Sequence, residues 1–216
     1  MRVYFDLDGT LIDSTKRHAV LLQRILDNQK IEIQKNVIDK YLQYKCDGGN
    51  TKGFLINVLG LEKKEAEEIC RIWIKDIEKE EYLDMDILYP ESMDVLGYLK
   101  RRNIQIFYIS ARANYNGVMK ELIRLGINTF PDNIYIVNTV NAAENKYICL
   151  KPRIRESDII VGDTEVDYYL AVKLNVGSIM LNRGFRSKKF WDNKGVKSYG
   201  EMFSEIKRII NYYRPQ

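Results

Sequence analysis

The sequence predicts an α/β fold: a doubly wound, Rossmann-like parallel sheet core with an inserted all-helical cap domain. Three observations predict it. The chain opens on a short apolar strand that ends in two carboxylates, Asp6 and Asp8. A long stretch that reads only as helix follows. From residue 88 onward, short apolar strands alternate with amphipathic helices, the pattern of parallel strands joined by crossover helices. Residues 1–14 and 88–216 are assigned to the core, and residues 15–87 to the cap.

Each element follows from local chemistry. Val3 and Phe5 are strand formers, and their apolar run is too short for a helix. Residues two apart on a strand share a face, so Asp6 and Asp8 both reach a site beyond the strand end, where Gly9 lets the backbone turn. Asp13-Ser14 is a helix N-cap pair. Residues 17–28 carry Val20, Leu21, Leu22, Ile25 and Leu26 as a helical stripe. Val37, Ile38, Tyr41 and Leu42 predict a second, short helix, and residues 46–51 read as a loop. A third helix runs through Phe54, Leu55 and Val58 to Gly60. Residues 62–81 read as one long charged helix with Ala66, Ile69, Cys70, Trp73 and Ile77 on its inner side.

In the core, residues 91–102 predict a helix with Met93, Val95, Leu96 and Leu99 inward. Residues 104–109 form a strand ending at Ser110, and residues 114–125 a helix closed by Gly126. Strands are expected at 134–137, 159–161 and 178–181, with helices at 166–174 and 201–212. In a doubly wound sheet, ligands bind beyond the carboxyl ends of the strands. Asp6, Asp8, Ser110 and Asp163 all fall there.

Composition narrows the function. With 45% hydrophobic residues the chain can build a packed core, and no apolar run approaches a membrane span. Asp6 and Asp8 interrupt any apolar leader, so a cytoplasmic location is expected. Three scattered cysteines and one histidine offer neither a disulfide framework nor a zinc site. The net charge of +4 is spread along the chain, which does not favour nucleic acid as a partner. A membrane partner is not expected either, and the protein is expected as a monomer or homodimer.

Four separated signals carry the chemistry. They are Asp6-Leu-Asp8-Gly-Thr10, Ser110 after its strand, a lysine at 146 or 151, and Gly162-Asp163-Thr-Glu-Val-Asp167. Close carboxylates repel and call for a counter-charge, for which Mg²⁺, with its preference for oxygen ligands, is the usual choice. In this order, along an alternating strand–helix chain, the four signals resemble the motifs of the haloacid dehalogenase superfamily of phosphohydrolases. The resemblance spans Val3 to about Leu181 and is closest to phosphoglycolate-phosphatase-like members.

The resemblance implies Mg²⁺-dependent hydrolysis of a small phosphomonoester, of the phosphoglycolate or sugar-phosphate type, through an aspartyl-phosphate. Asp6 would be the nucleophile. Asp8 would protonate the leaving alcohol and then take a proton from water. Mg²⁺ would be held by Asp6, the backbone carbonyl of Asp8, Asp163 and Asp167. Ser110 and the lysine would hold phosphoryl oxygens. Lys151-Pro152 matches the Lys-Pro pair of many relatives. The span from there to Asp163 is short for a helix, a turn and a strand, whereas Lys146 leaves room for a short helix before Pro152, so Lys146 is preferred. Thr10, His18, Ala111 and Arg112 are the expected substrate-binding residues.

His18 stands where similar sugar-phosphate mutases and phosphatases often carry a histidine. Ser110-Ala111-Arg112 departs from the usual Ser-Asn or Thr-Asn. It keeps a nucleotide or nucleic-acid-end phosphatase as an alternative; a sugar phosphomutase, which would use the same residues but return the phosphoryl group to the substrate, is another. A dehalogenase is disfavoured because Asp8 and Thr10 follow the phosphatase pattern. Residues 45–52, a polar loop with Lys45 and Lys52 at its ends, are a candidate for setting substrate choice.

Overall fold

The chain begins with β1 (Arg2–Phe5), buried along its whole length, and turns at Gly9 (φ 75°) into the two-residue β2 (Ile12–Asp13). The helices α1 (Thr15–Asn28), α2 (Val37–Cys46), α3 (Thr51–Asn57), α4 (Lys63–Asp76) and α5 (Glu80–Leu83) follow. β3 (Ile87–Leu88) then returns antiparallel to β2, Ile12 facing Leu88 and Asp13 facing Ile87. Both ends of the helical insert therefore join the core through one small ribbon. Strand and helix alternate from there: α6 (Ser92–Arg101), β4 (Gln105–Ala111), α7 (Tyr115–Arg124), a 3-10 turn (Pro131–Asn133), β5 (Ile134–Val137), α8 (Ala142–Leu150) and β6 (Ile159–Gly162). α9 (Glu165–Leu174), β7 (Gly177–Leu181), α10 (Lys188–Asn193), β8 (Ser198–Tyr199) and α11 (Phe203–Tyr213) complete the fold. The structure is a computed structural model and describes residues 1–32 and 34–213; Ile33 and residues 214–216, included in the expected cap and core spans, lie outside the described residues.

The main sheet has the order β5-β4-β1-β6-β7-β8, and its pairs are parallel. Val3 of β1 is paired with Ile106 on one side and Ile159 on the other. The chain builds outward from β1 through β4 to β5, then crosses back to β6 on the other flank. This reversal opens a crevice at the carboxyl end of β1, where doubly wound sheets place their ligands.

Strand alternation sorts the core into two faces. Val3, Phe5, Tyr108, Val161, Ile179 and Leu181 point to the side covered by α6, α7 and α11, where Val95, Leu99, Leu122 and Ile206 meet them. Tyr4, Ile109 and Ile160 point to the other side, against Leu150 of α8 and Leu170 and Ala171 of α9. A third cluster belongs to the insert alone and includes Leu22, Leu26, Tyr41, Phe54, Leu55 and Ile69. Full burial of each large aliphatic side chain contributes roughly 1.5–3 kcal/mol.

Several local expectations are corrected. The single helix expected over 62–81 is broken: α4 ends at Asp76 and α5 begins at Glu80. Tertiary hydrogen bonds win over helix propensity here. The Ile77 carbonyl accepts from Arg17 (3.4 Å), and the Glu78 carboxylate accepts from the backbone N–H groups of Ala113 and Asn114 (both 2.8 Å), ahead of α7. Ser14 makes no capping hydrogen bond; the Asp13 carboxylate accepts from the Thr15 N–H (3.0 Å) and hydroxyl (2.6 Å) instead. Met93 faces outward, 47% exposed. The second helix runs on to Cys46, and the third begins at Thr51, which leaves a loop of only 47–50. The strand expected to stop at Ser110 includes Ser110 and Ala111, paired with Ile136 and Val137 of β5. β2, β3, α10 and β8 were not expected from periodicity, because each is too short to show one.

Candidate active site

Asp6 follows β1 without a break, and its N–H donates to the Val161 carbonyl of β6 (2.9 Å). It has the same strand parity as Tyr4, which places it on the α8–α9 side of the sheet. Asp163 follows β6 directly. Asp167 stands in the first turn of α9, where it forms a capping box with Thr164. Asp6, Asp163 and Asp167 each offer a carboxylate oxygen to one spot, with those oxygens within 4.8 Å of one another. The backbone closes on Asp163 at two glycines with positive φ, Gly9 (75°) and Gly184 (63°). A Cβ at Gly184 would stand 2.5 Å from Asp163 Oδ2 and from the Gly9 Cα, so a side chain there has no room.

Lys146, on α8, reaches over this cluster. Its ammonium donates to Asp6 Oδ1 (2.8 Å) and to Asp167 Oδ1 (2.7 Å) and is 3% exposed. Asp163 accepts from the Phe185 N–H (3.0 Å) at Oδ2 and from the Thr10 hydroxyl (3.4 Å) at Oδ1. Three buried carboxylates face one lysine. Burial, with Asp167 and Asp8 nearby, outweighs Lys146 and pushes the Asp6 carboxyl up to about 7. Burial, then Asp6 and Asp167, pushes Asp163 well above the usual carboxylate range. Burial alone would lower Lys146, but Asp167 and Asp6 raise it above its ordinary value. An all-oxygen donor set with surplus negative charge suits Mg²⁺.

Asp8 belongs to a different set of contacts. Its carboxylate takes a two-pronged ion pair from Arg112, Nε to Oδ2 at 2.7 Å and Nη2 to Oδ1 at 2.8 Å. Arg17 of α1 also donates to Asp8 Oδ1. Burial would raise the Asp8 carboxyl, but Arg112 and then Arg17 outweigh it and hold it down to about 2. Behind Arg112 stands Glu121 of α7 (3.1 Å), and behind Arg17 stands Asp86 (3.2 Å). Arg17, Asp86, Arg112 and Glu121 are each at most 3% exposed.

The insert closes the other side. The Lys45 ammonium, at the end of α2, lies 2.7 Å from His18 Nδ1 and 3.9 Å from the centre of the Phe185 ring. His18 also packs on Phe185 and Trp73. Burial, with Arg186 and Arg17 nearby, lowers Lys45 to about 7, and burial with Lys45 alongside holds His18 well below its usual value. The loop after β7 supports this corner. Arg186 donates to the Lys45 carbonyl (2.8 Å) and pairs with Glu165 of α9 (2.6 and 2.7 Å), while the Ser187 N–H donates to the Cys46 carbonyl (2.9 Å).

Most of the residues expected from the sequence meet here. Asp6, Thr10, Lys146, Asp163 and Asp167 share the carboxylate cluster. Ser110 and Ala111 end β4, the strand next to β1, with Ser110 2% exposed. Asp8 joins Arg112 instead, and His18 joins Lys45. Of the two lysines, Lys151 caps the end of α8 in solvent with its ammonium over the Tyr147 ring (5.4 Å). Lys146 lies within a helix that starts at Ala142, so the short helix surrounds the lysine rather than following it. Lys52 turns away to pair with Glu67 (2.7 Å). Sequence reasoning missed Arg17, Asp86, Glu121, Gly184, Phe185 and the Glu165–Arg186 pair. They come from distant segments and, apart from Glu165 inside the Gly162–Asp167 signal, lie in no motif; a charged residue on the buried side of the α1 stripe, Arg17, was a further available signal.

Residues 3–181 match the family model of the haloacid dehalogenase-like hydrolases. Solved structures share the fold over nearly the whole chain. A haloacid dehalogenase-like family hydrolase from Streptococcus pneumoniae superposes with a TM-score of 0.75 at 19% identity, covering 99% of this chain and 98% of that one. A protein from Clostridium acetobutylicum named as a predicted phosphatase gives 0.74 at 20% identity, covering 97% and 98%. A protein from Lactobacillus delbrueckii subsp. bulgaricus with a provisional phosphoglycolate phosphatase name gives 0.72 at 18% identity, covering 97% of each chain. No curated protein matches the sequence at a significant level. The family match runs from β1 through β7 and so takes in every carboxylate of the cluster described above; on that match the chain belongs to the haloacid dehalogenase-like hydrolases.

Proposed function

We propose that this protein is a Mg²⁺-dependent phosphatase that hydrolyses a small phosphomonoester through an aspartyl-phosphate on Asp6, with residues 15–87 acting as a cap. The observation that carries this reading is the position of Asp6. It stands at the switch-point end of β1, paired with Lys146, in a buried cluster with Asp163 and Asp167. The names of two of the similar structures, a phosphatase and a phosphoglycolate phosphatase, support the same reading.

Asp6, Asp163, Asp167 and the backbone carbonyl of Asp8 would hold Mg²⁺. When bound, the ion supplies charge neutralisation for the carboxylates and the phosphoryl oxygens. An Asp6 oxygen attacks phosphorus as the bond to the leaving oxygen breaks. The proton reaches that oxygen by way of Asp8, entering on substrate that arrives as the monoanion, since a phosphomonoester has a second pKa of about 6. In the second half Asp8 takes a proton from water, the water oxygen attacks phosphorus as the bond to Asp6 breaks, and the proton passes from Asp8 to the departing inorganic phosphate, which restores both carboxylates. The arginine-held carboxylate form of Asp8 is the form this half requires. Lys146 and Ser110 hold phosphoryl oxygens at the strand ends. The cap excludes water from the first transfer and places Lys45 and His18 over the substrate.

Arg112 is engaged by Asp8 and Glu121, so it lends no weight to a nucleic-acid-end phosphatase. The test is a panel of phosphometabolites assayed with Mg²⁺ and with chelator, with Asp6→Asn as control. Release of phosphate from at least one small phosphomonoester, lost in chelator and in the variant, is expected. Turnover that survives chelator, or that Asp6→Asn retains, contradicts the proposal.

A further inference from the structure

The group around Asp8 has a feature the proposed reaction does not explain. Arg17 belongs to the insert, yet its side chain is 2% exposed and reaches into the core. One nitrogen, Nη2, meets both Asp8 and Asp86 (3.2 Å), and Nη1 donates to the Ile77 carbonyl (3.4 Å). A buried guanidinium is costly unless charge and hydrogen bonds compensate it. Its partners come from three separate segments: the turn after β1, the break between α4 and α5, and the strand-side linker before β3. Ordinary packing of α1 would be met by an aliphatic residue. We propose that Arg17 is a positioning residue for Asp8, closing a two-arginine clamp with Arg112 and held from behind by Asp86. The proposal rests on the reading of Asp8 as the group that activates water.

The charge count supports this arrangement. Asp8, Asp86 and Glu121 face only two guanidinium groups, so the buried group balances when one carboxyl is neutral. Asp86 and Glu121 are both buried, and none of their carboxylate oxygens accepts a directed hydrogen bond. Of the two, Asp86 is the one fully enclosed, and it faces two other carboxylates, Asp8 from the β1 turn and Glu121 from α7, besides Arg17 from α1. Burial outweighs Arg17 and, with Glu121 beside it, pushes Asp86 up to about 9. A neutral Asp86 braces Arg17 without competing with Asp8 for its charge. Both Asp8 oxygens are then fixed, which sets the direction from which the carboxylate meets water.

Pre-steady-state kinetics with p-nitrophenyl phosphate and Mg²⁺ test the clamp. Its leaving group departs without proton help, so breakdown of the phosphoenzyme is isolated. Arg17→Met is expected to give a full burst of nitrophenol followed by a steady rate roughly 10–100-fold below the parent, with Arg17→Lys between the two. A burst and steady rate that fall together, or an unchanged steady rate, overturn the clamp. Asp8→Asn run in parallel is expected to burst and stall. If it turns over like the parent, the reading of Asp8 fails and the clamp fails with it; if it stalls while Arg17→Met does not, the clamp alone fails. Asp86→Asn covers the case in which Arg17→Met does not fold. A raised carboxyl stabilises the fold at low pH, and that contribution is lost as pH rises from the ordinary carboxylate range to about 9. Asp86→Asn should therefore flatten the fall of Tm over this window. A slope equal to the parent's would show Asp86 charged and drawing Arg17 away from Asp8, which overturns the proposal.

Discussion

At the residue scale, Asp163 shows what burial does to a carboxyl group whose hydrogen-bond donors carry no charge. It is fully buried, and its hydrogen-bond donors, the Phe185 N–H and the Thr10 hydroxyl, are both neutral. Its raised carboxyl gives the metal-free fold a contribution that is present below the ordinary carboxylate range and shrinks as pH rises above it. Asp163→Asn should make metal-free Tm higher than the parent at neutral pH and less sensitive to pH above the carboxylate range. The same variant should lose the stabilisation Mg²⁺ brings, ~2.7 kcal/mol at a hundredfold excess over Kd. Thermal melts with and without Mg²⁺ check both; a variant that keeps the parent's Mg²⁺ shift would remove Asp163 from the metal set. The lysines give a sharper contrast. Lys146→Ala leaves two buried carboxylates without their cation, which should cost about 3–5 kcal/mol of stability and at least about 100-fold in kcat. Lys151→Ala, in solvent, should stay within about 0.5 kcal/mol of the parent. Equal losses in urea melts and kcat would contradict the assignment.

Elements differ in how much of their position local sequence carries. Asp6, Ser110 and Asp163 were legible because each ends a short apolar strand next to a turn, and strand ends converge in a parallel sheet. Lys146 was legible from chain length, yet its helix starts at Ala142 in a left-handed Asn141 cap that no periodicity announces. The break after α4 was hidden, since residues 77–79 have no Gly or Pro; distant groups, Arg17 and the N–H groups ahead of α7, impose it. The loop expected over residues 45–52 divides between two helices, with Lys45 in α2 and Lys52 in α3. Lys45 turns inward to His18, whereas Lys52 pairs outward with Glu67. A substrate profile should therefore be re-ranked by Lys45→Ala, with changes of tenfold or more for some substrates, and left in order by Lys52→Ala. Re-ranking by Lys52→Ala alone would place specificity on the outer face of α3.

For the whole molecule, insert and core are tied at two separated places. On one side Glu78, Arg124 and Arg17 link the α4–α5 break and the β3 linker to α7 and the β1 turn. On the other, Arg186 and Ser187 hold the end of α2. The carboxylate cluster lies between these ties, and none of its members is more than 7% exposed. Such an enclosure suits a reaction whose intermediate must be shielded until the leaving group has gone. Among the described residues, no helix is long and apolar enough to cross a membrane. The central claim is that phosphate passes through Asp6. Rapid acid quench of Asp8→Asn with Mg²⁺ and p-nitrophenyl phosphate, followed by peptide mapping, tests it most directly. The account predicts one phosphoryl group on the peptide that contains Asp6, absent when Asp6→Asn is added to the same protein. Phosphate on any other residue, or turnover with no phosphoenzyme at any quench time, would contradict it.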